Sequence, residues 1–345
     1  MTMRQFFVVL SVAAAMLVPA LSQKSNNPFA GRWDMTVTRD NLTFPSWFEL
    51  VEKDGRPQTR VQLRTGNVNP AAATRMDGSR LIITVSAPTP ARPAEDGQKA
   101  IPARPELVWE LTEANGKVSG TSTQGKNVFK LSGVRAPALK RAAPKAWSRP
   151  ESLFNGKDLT GWEPISNTSS NPSAPVTSYW MAKNGELTNE KKGPNIRTKR
   201  TFTDFKLHVE YLCPPEENSG VYLRGRYEAQ VTAPPSSAPR PAAVRLRPGG
   251  PPKNPYGSVG CIYGMLGPST PPPFRPDWQT YDFTLVGRWV TVAFNGVTTI
   301  DNKEIPGITG GALDSNEGDP GPIYFQGDHR GGIRYRNITI SVPQP

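Results

Sequence analysis

The chain has 345 residues, 36% of them hydrophobic, with 37 prolines and 31 glycines, where a globular chain averages about 5% proline. That wealth of turn formers excludes a mainly helical protein and suits many short strands joined by turns. The formal net charge of +12 would fit a nucleic-acid binder, but the basic residues are scattered, much of the excess falls in Pro-rich loops and a linker, and no recognition helix or zinc-finger spacing is present, so nucleic acid is not an expected partner.

Residues 1–22 predict a secretory signal peptide. Arg4 precedes an almost uninterrupted apolar run over residues 6–17, and the small residues Ala20 and Ser22 follow. The run is short for a membrane span, which takes about 20 apolar residues, although an uncleaved N-terminal anchor is the competing reading. No other stretch is long and apolar enough to cross a bilayer as a helix. The expected mature protein is therefore exported, periplasmic or extracellular, with no membrane span. Export permits a disulfide between the two cysteines, Cys213 and Cys261. The sequence leaves their pairing open, and two thiols alone cannot build a structural zinc site.

Residues 27–135 predict a small antiparallel β domain, barrel-like in outline. Residues 32–38 alternate, residues 47–51 run up to Asp54-Gly55, residues 81–85 follow Asp77-Gly78, and residues 107–111 precede Asn115-Gly116. Asx-Gly pairs between apolar runs signal hairpins. Residues 88–105 form a Pro/Ala-rich loop. This region holds no catalytic constellation and reads as a structural or docking module. Residues 136–150, rich in Ala, Pro, Lys and Arg, read as an interdomain linker.

Residues 151–345 form the second domain. Its most informative segments are Asn218-Ser219-Gly220-Val221-Tyr222-Leu223-Arg224 and Tyr227-Glu228-Ala229-Gln230-Val231. Period-two alternation puts Val221, Leu223, Tyr227, Ala229 and Val231 on an apolar face, and Tyr222, Arg224, Glu228 and Gln230 on a polar one. The same alternation turns Lys206, His208 and Glu210 outward in residues 205–211, and Tyr324 and Gln326 outward in residues 323–326. These outward faces can tile one concave sheet. A merely solvated face is the alternative, but such faces are usually Lys, Thr, Ser and Glu. Guanidinium, carboxylate, carboxamide and phenol groups suit paired hydrogen bonds to sugar hydroxyls. The catalytic candidates are Glu228, His329 and Arg224, and the substrate-binding candidates are Glu210, Asn218, Tyr222, Gln230, Tyr263, Trp278 and Gln326.

His329 sits in the Gly-flanked segment Gln326-Gly327-Asp328-His329-Arg330-Gly331-Gly332, a setting for an acid or base near neutral pH or for an idle surface histidine. His208, in mid-strand, fits a structural role better. Tyr263, Trp278 and Tyr281 are stacking or core aromatics, with Trp278 the best stacking candidate. The acidic turn over residues 314–319 could ligate calcium, but it lacks the EF-hand pattern, and a metal-free turn is the favoured reading, so no cofactor is expected. Ser219 is not in a nucleophile-elbow motif, which argues against serine-hydrolase chemistry.

Ordered along the chain stand Leu153-Phe154-Asn155-Gly156-Lys157 with Gly161-Trp162, Asn184-Gly185-Glu186-Leu187, Phe202-Thr203-Asp204-Phe205-Lys206-Leu207, the two segments above, Ile262-Tyr263-Gly264, Trp278-Gln279-Thr280-Tyr281, Asn295-Gly296-Val297, Gly321-Pro322-Ile323-Tyr324-Phe325-Gln326, and Tyr335-Arg336-Asn337-Ile338. Together these resemble the 3-keto-disaccharide hydrolase family over about residues 150–342. The Pro/Arg-rich stretch 233–255 is a departure from it. The resemblance implies an all-β fold, a concanavalin A-like jelly-roll sandwich behind the small β domain. It also implies an exported carbohydrate-active enzyme that cleaves 3-keto-glycosides or 3-keto-disaccharides. A ketone at C3 acidifies the C2 proton. A base, Glu228 or His329, removes it, the enolate expels the C1 substituent, and water adds to the enone, with Arg224 steadying the oxyanion. The two-carboxylate arrangement of ordinary glycosidases is not evident, Glu210 and Glu228 being the candidate partners. The alternative is a non-catalytic, lectin-like carbohydrate-binding module. A protein partner is not legible.

Overall fold

Asp54-Gly55 and Asn115-Gly116 form two of the hairpin turns of the first sheet, as their sequence requires. The fold comes from a computed structural model, described for residues 27–91, 100–165, 177–215, 217–233, 259–327 and 329–344. The expected signal peptide at residues 1–22, the middle of the loop 88–105 and most of the stretch 233–255 lie outside these residues. Among the described residues there is no helix.

The first sheet holds β1 (Gly31–Arg39), β2 (Leu42–Lys53), β3 (Arg56–Gln62), β4 (Asn69–Pro70), β5 (Ala73–Asp77), β6 (Arg80–Ser86), β7 (Leu107–Ala114), β8 (Lys117–Gln124) and β9 (Asn127–Arg135). Their order, β4-β3-β2-β1-β9-β8-β7-β6-β5, is an antiparallel meander whose first and last strands pair, so the sheet curls on itself. Asp54 and Gly55 have φ of 52° and 69°, the left-handed pair that a two-residue hairpin turn demands. Trp33, Met35, Phe48, Leu81, Ile83, Trp109 and Leu111 fill the interior. Each such buried side chain contributes roughly 1.5–3 kcal/mol of apolar burial.

Residues 136–150 carry no strand but lie along the second domain. The Leu139 carbonyl accepts from the Arg288 N–H (3.3 Å), Arg141 pairs with Asp204 (3.0 Å), and Trp147 bridges to Pro343.

The second domain is a sandwich of two antiparallel sheets. The larger contains β10 (Glu151–Ser152), β12 (Trp180–Lys183), β13 (Glu186–Asn189), β15 (Phe205–Leu212), β18 (Gln279–Val286), β19 (Trp289–Phe294), β20 (Val297–Glu304) and β22 (Ile333–Ser341). The smaller is β11 (Trp162–Ile165), β14 (Asn195–Thr198), β21 (Tyr324–Phe325), β16 (Asn218–Leu223) and β17 (Tyr227–Thr232), in that spatial order. Val209, Tyr211, Phe283 and Tyr335 from the large sheet meet Ile196, Val221, Ala229 and Phe325 from the small one in a single core. Phe325 stacks on Tyr335 across the two sheets, with centroids 4.2 Å apart.

Cys213 and Cys261 are buried free thiols, not a disulfide, and burial pushes Cys213 up to about 12. The polar faces do not tile one surface. His208 and Glu210 point outward from the large sheet, whereas Tyr222 and Glu228 point outward from the small one, with the core between them.

A buried ionic cluster joins the first sheet to the sandwich. The fully buried Glu317 carboxylate receives Arg32, Arg288 (3.2 Å) and the Tyr227 hydroxyl (2.9 Å). Arg32 also lies 3.6 Å from buried Asp34. Burial, then the charge of Glu317, pushes Asp34 from 3.8 to about 7. Between about pH 4 and pH 7 the folded protein therefore holds a proton that the unfolded chain has released, and stability falls as pH rises through that window. Asp34→Asn is expected to unfold at the wild-type urea midpoint near pH 4 and at a higher midpoint near pH 8. Denaturation curves at both pH values check this, and a midpoint at or below wild type near pH 8 would refute it.

Candidate active site

Register in the small sheet brings one side chain from every strand into an outward row: Glu163, Arg197, Tyr324, Tyr222 and Glu228. Their neighbours alternate inward, which is why Ile196, Phe325, Val221 and Ala229 are core. Along the row Arg197 pairs with Glu163 (2.8 Å) and Tyr324 stacks on Tyr222 with centroids 4.1 Å apart. The Tyr222 hydroxyl shares its proton between Glu228 Oε2 and the Gly310 carbonyl, each at 2.9 Å.

The next outward row is Asn195, Gln326, Gly220 and Gln230. The Gln326 N–H donates to the Gly220 carbonyl (3.1 Å), and Gly220 pairs with Gln230. Gly220 leaves a trough between Gln326 and Gln230, which stand two strand spacings apart, roughly 10 Å, and the Tyr222 ring and Glu228 side chain line it. Into it leans the Glu228 carboxylate. A Cβ on Gly220 would come within 2.6 Å of Glu228 Oε1 and 2.9 Å of its Cγ. Gly220→Ala is thus expected to displace the carboxylate and lower turnover by roughly 10–100-fold with little change in melting temperature. Steady-state kinetics with a melting curve checks it, and wild-type turnover would contradict the placement of Glu228.

Other groups close the trough. His329 is half-buried and its Nε2–H donates to Gln326 Oε1 (3.1 Å). The buried Glu217 carboxylate accepts from the N–H groups of Asn218 (2.8 Å) and Arg330 (3.2 Å), tying the His329 loop to the start of β16, where half-buried Asn218 stands. The Tyr263 N–H donates to the Glu228 carbonyl (2.8 Å). Burial, then Glu228 and Cys261, raise the Tyr263 phenol above its ordinary value. Asn195 donates to the Tyr324 hydroxyl (2.9 Å) and accepts from the Gly327 N–H (2.8 Å). Thr309 Oγ1 accepts the Glu228 N–H (3.0 Å).

The structure thus gathers Glu228, Tyr222, Gln230, Tyr263, Gln326, His329 and Asn218 on one side of the small sheet. It does not bring in Arg224, Glu210 or Trp278. Arg224 is a turn residue with φ of 54°, fully buried, and its Nη2 donates to the Tyr227 hydroxyl (3.0 Å) and the Gly287 carbonyl (2.8 Å). It belongs to the Glu317 cluster and is not an oxyanion donor beside Glu228. Glu210 lies on the far face of the large sheet, held by Arg336 Nε (2.7 Å) and Asn337 Nδ2 (2.8 Å), so Glu210 and Glu228 are not a carboxylate pair. Trp278 carries the Arg336 guanidinium 3.9 Å from its ring centre on that same face. His208 is held there by Asp282 (2.7 Å). In the acidic turn, Asp314 accepts from Arg226 (2.7 Å) and Asn316 N–H (2.8 Å), and Glu317 serves the arginines described above.

Within this geometry, the model of a family described as a 3-keto-alpha-glucoside-1,2-lyase-like domain matches residues 149–341. The chain belongs to this family. Two crystal structures of candidate glycosyl hydrolases from Parabacteroides distasonis ATCC 8503 are similar to it. One is 26% identical, covering 59% of this chain and 93% of its own, with a TM-score of 0.41. The other is 19% identical, covering 55% and 92%, also with a TM-score of 0.41. No curated protein matches the chain. As a member of the lyase-like family the chain is a carbohydrate-active, glycoside-hydrolase-like enzyme. The lyase-like domain contains the whole outward row, the Gly220 trough and His329, while the first sheet lies before it.

Sequence reasoning missed Asn195, Glu217, Thr309 and Gly310. Asn195 opens β14 and Glu217 directly precedes β16, and alternation along residues 195–198 would have placed Asn195 outward beside Arg197. Thr309 and Gly310 act through a hydroxyl and a carbonyl in a strand-free segment, which carries no sequence signal.

Proposed function

We propose that this exported enzyme cleaves 3-keto-glycosides, 3-keto-disaccharides among them, by proton abstraction at C2. The observation that carries the reading is the Glu228 carboxylate, aligned by the Tyr222 hydroxyl at 2.9 Å and leaning over the glycine floor at Gly220 between Gln230 and Gln326. Glu228 takes the C2 proton, and the electron pair moves onto the C3 oxygen as an enolate. Collapse of the enolate forms the C1=C2 bond and breaks the C1–O bond. The departing oxygen takes a proton from His329 or from water and leaves as an alcohol. Water then adds its hydroxyl to C1 and its proton to C2, giving the free 3-keto sugar. Gln230 and Tyr263 are the side chains that face the enolate as donors, in the place assigned above to Arg224.

The test is incubation of the purified protein with a 3-keto-disaccharide and, separately, with its unoxidised parent. Product is expected from the ketone alone. Equal cleavage of both would overturn the mechanism, and saturable binding without product would favour the lectin-like alternative.

A further inference from the structure

We propose that the N-terminal sheet is the outer wall of the active site and that Trp47 is a positioning residue acting on Tyr222 and Glu228 through residues 305–312. Trp47 lies on β2 of the first sheet, yet its buried side chain belongs to the core cluster of the sandwich, not to the interior of its own sheet. Its indole Nε1–H donates to the Ile308 carbonyl (2.8 Å). Its ring lies against Gly307, where a Cβ would come within 2.6 Å of it.

The neighbouring contacts follow the same pattern. The Arg32 guanidinium donates to the Pro306 carbonyl. The Gly311 N–H donates to the Arg64 carbonyl (3.0 Å). Gly310 packs so closely on Gly66 that a Cβ would meet its backbone N and O at 2.7 Å. Buried Gln62 folds that loop by donating to the carbonyls of Leu63 (2.8 Å) and Gly66 (2.9 Å). Residues 306, 308 and 311 are therefore held from the first sheet.

The Thr309 hydroxyl and the Gly310 carbonyl face the other way. Thr309 Oγ1 holds the Glu228 N–H, and the Gly310 carbonyl holds the Tyr222 hydroxyl. A Cβ on Gly311 would come within 2.5 Å of that hydroxyl. The segment is clamped between the two domains, so a shift at Ile308 reaches the group that aligns the Glu228 carboxylate. The residues that hold it from behind, Arg32, Trp47, Gln62 and Arg64, all lie outside the family domain at 149–341. The N-terminal sheet is thus part of this enzyme's catalytic unit and not an independent docking module.

The inference rests on the assignment of Glu228 and Tyr222 to the catalytic site, and a double-mutant cycle in the full-length protein tests it. Kinetics on a 3-keto-disaccharide are measured for wild type, Trp47→Phe, Tyr222→Phe and the double variant. Trp47→Phe keeps the ring and deletes the N–H. It is expected to lower kcat roughly tenfold, as small displacements of reacting groups do, with KM within about twofold. In the Tyr222→Phe background the same change is expected to cost less than about threefold, because the path it acts through is already cut. A purely structural Trp47 would multiply with Tyr222→Phe, and that result, or a kcat within twofold of wild type, overturns the proposal. Should Trp47→Phe fail to fold, Gln62→Leu, which releases the loop presenting the Arg64 carbonyl, carries the same cycle with the same expected outcome. An inactive wild type sinks both this proposal and the catalytic reading. An active wild type with a silent Trp47 sinks this one alone.

Discussion

Glu228→Gln is expected to lower turnover of a 3-keto-disaccharide by roughly 10²–10⁴-fold, the usual share of general-base catalysis, while the fold survives. The substitution keeps the shape of the side chain and retains an oxygen to receive the Tyr222 hydroxyl, so the stacked Tyr222–Tyr324 pair and the trough over Gly220 should persist. Only the ability to take a proton is removed. Stopped or continuous product assays on folded variant and wild type decide the matter. A variant with near-wild-type turnover would mean that the base lies elsewhere, with His329 the next group on the trough to examine.

Glu317→Ala is expected to destabilise the protein by about 3–5 kcal/mol, the range for breaking a buried ion pair by removing one partner. The carboxylate is wholly enclosed and serves Arg32 from the first sheet together with Arg288 and the Tyr227 hydroxyl from the sandwich. Its removal takes the enclosed counter-charge from both guanidinium groups, leaving Arg32 with Asp34 at 3.6 Å and Arg288 with the more exposed Glu304 at 2.7 Å, beside Arg224, already enclosed in the same cluster. The loss should appear in urea denaturation as a lower midpoint. Because Arg32 also holds the Pro306 carbonyl, catalysis should weaken along with stability. A change under about 1 kcal/mol would show that the cluster does not fasten the two halves.

The sequence was legible where alternation alone decides. Residues 218–223 and 227–232 fold as period two requires, and this sorts Val221 and Ala229 into the core and Tyr222, Glu228 and Gln230 onto the site. The Asp54-Gly55 and Asn115-Gly116 pairs turn where they should. Alternation fails at Arg224 because a residue in the left-handed region of a turn belongs to neither face of its strand. It fails differently at Glu210 and Trp278. Period two gives the face of a strand but not the sheet that the strand joins, and β15 joins the larger sheet with its polar face away from Glu228. The role of the first sheet was illegible for a third reason. Trp47 reads as an ordinary strand aromatic, and nothing in its neighbours reveals that its ring leaves its own sheet for the core of another, against a strand-free segment 261 residues later.

The central claim is that cleavage begins with removal of the C2 hydrogen by Glu228, and a substrate labelled with deuterium at C2 tests it most directly. Wild-type enzyme and Glu228→Gln are given the labelled 3-keto-disaccharide in ordinary water, and product and residual substrate are read by mass spectrometry. The account predicts that wild type releases a sugar product that has lost the label while unreacted substrate keeps it, and that Glu228→Gln releases almost none. Cleavage with the label retained in the product would contradict it, since the C1–O bond would then break without any proton leaving C2.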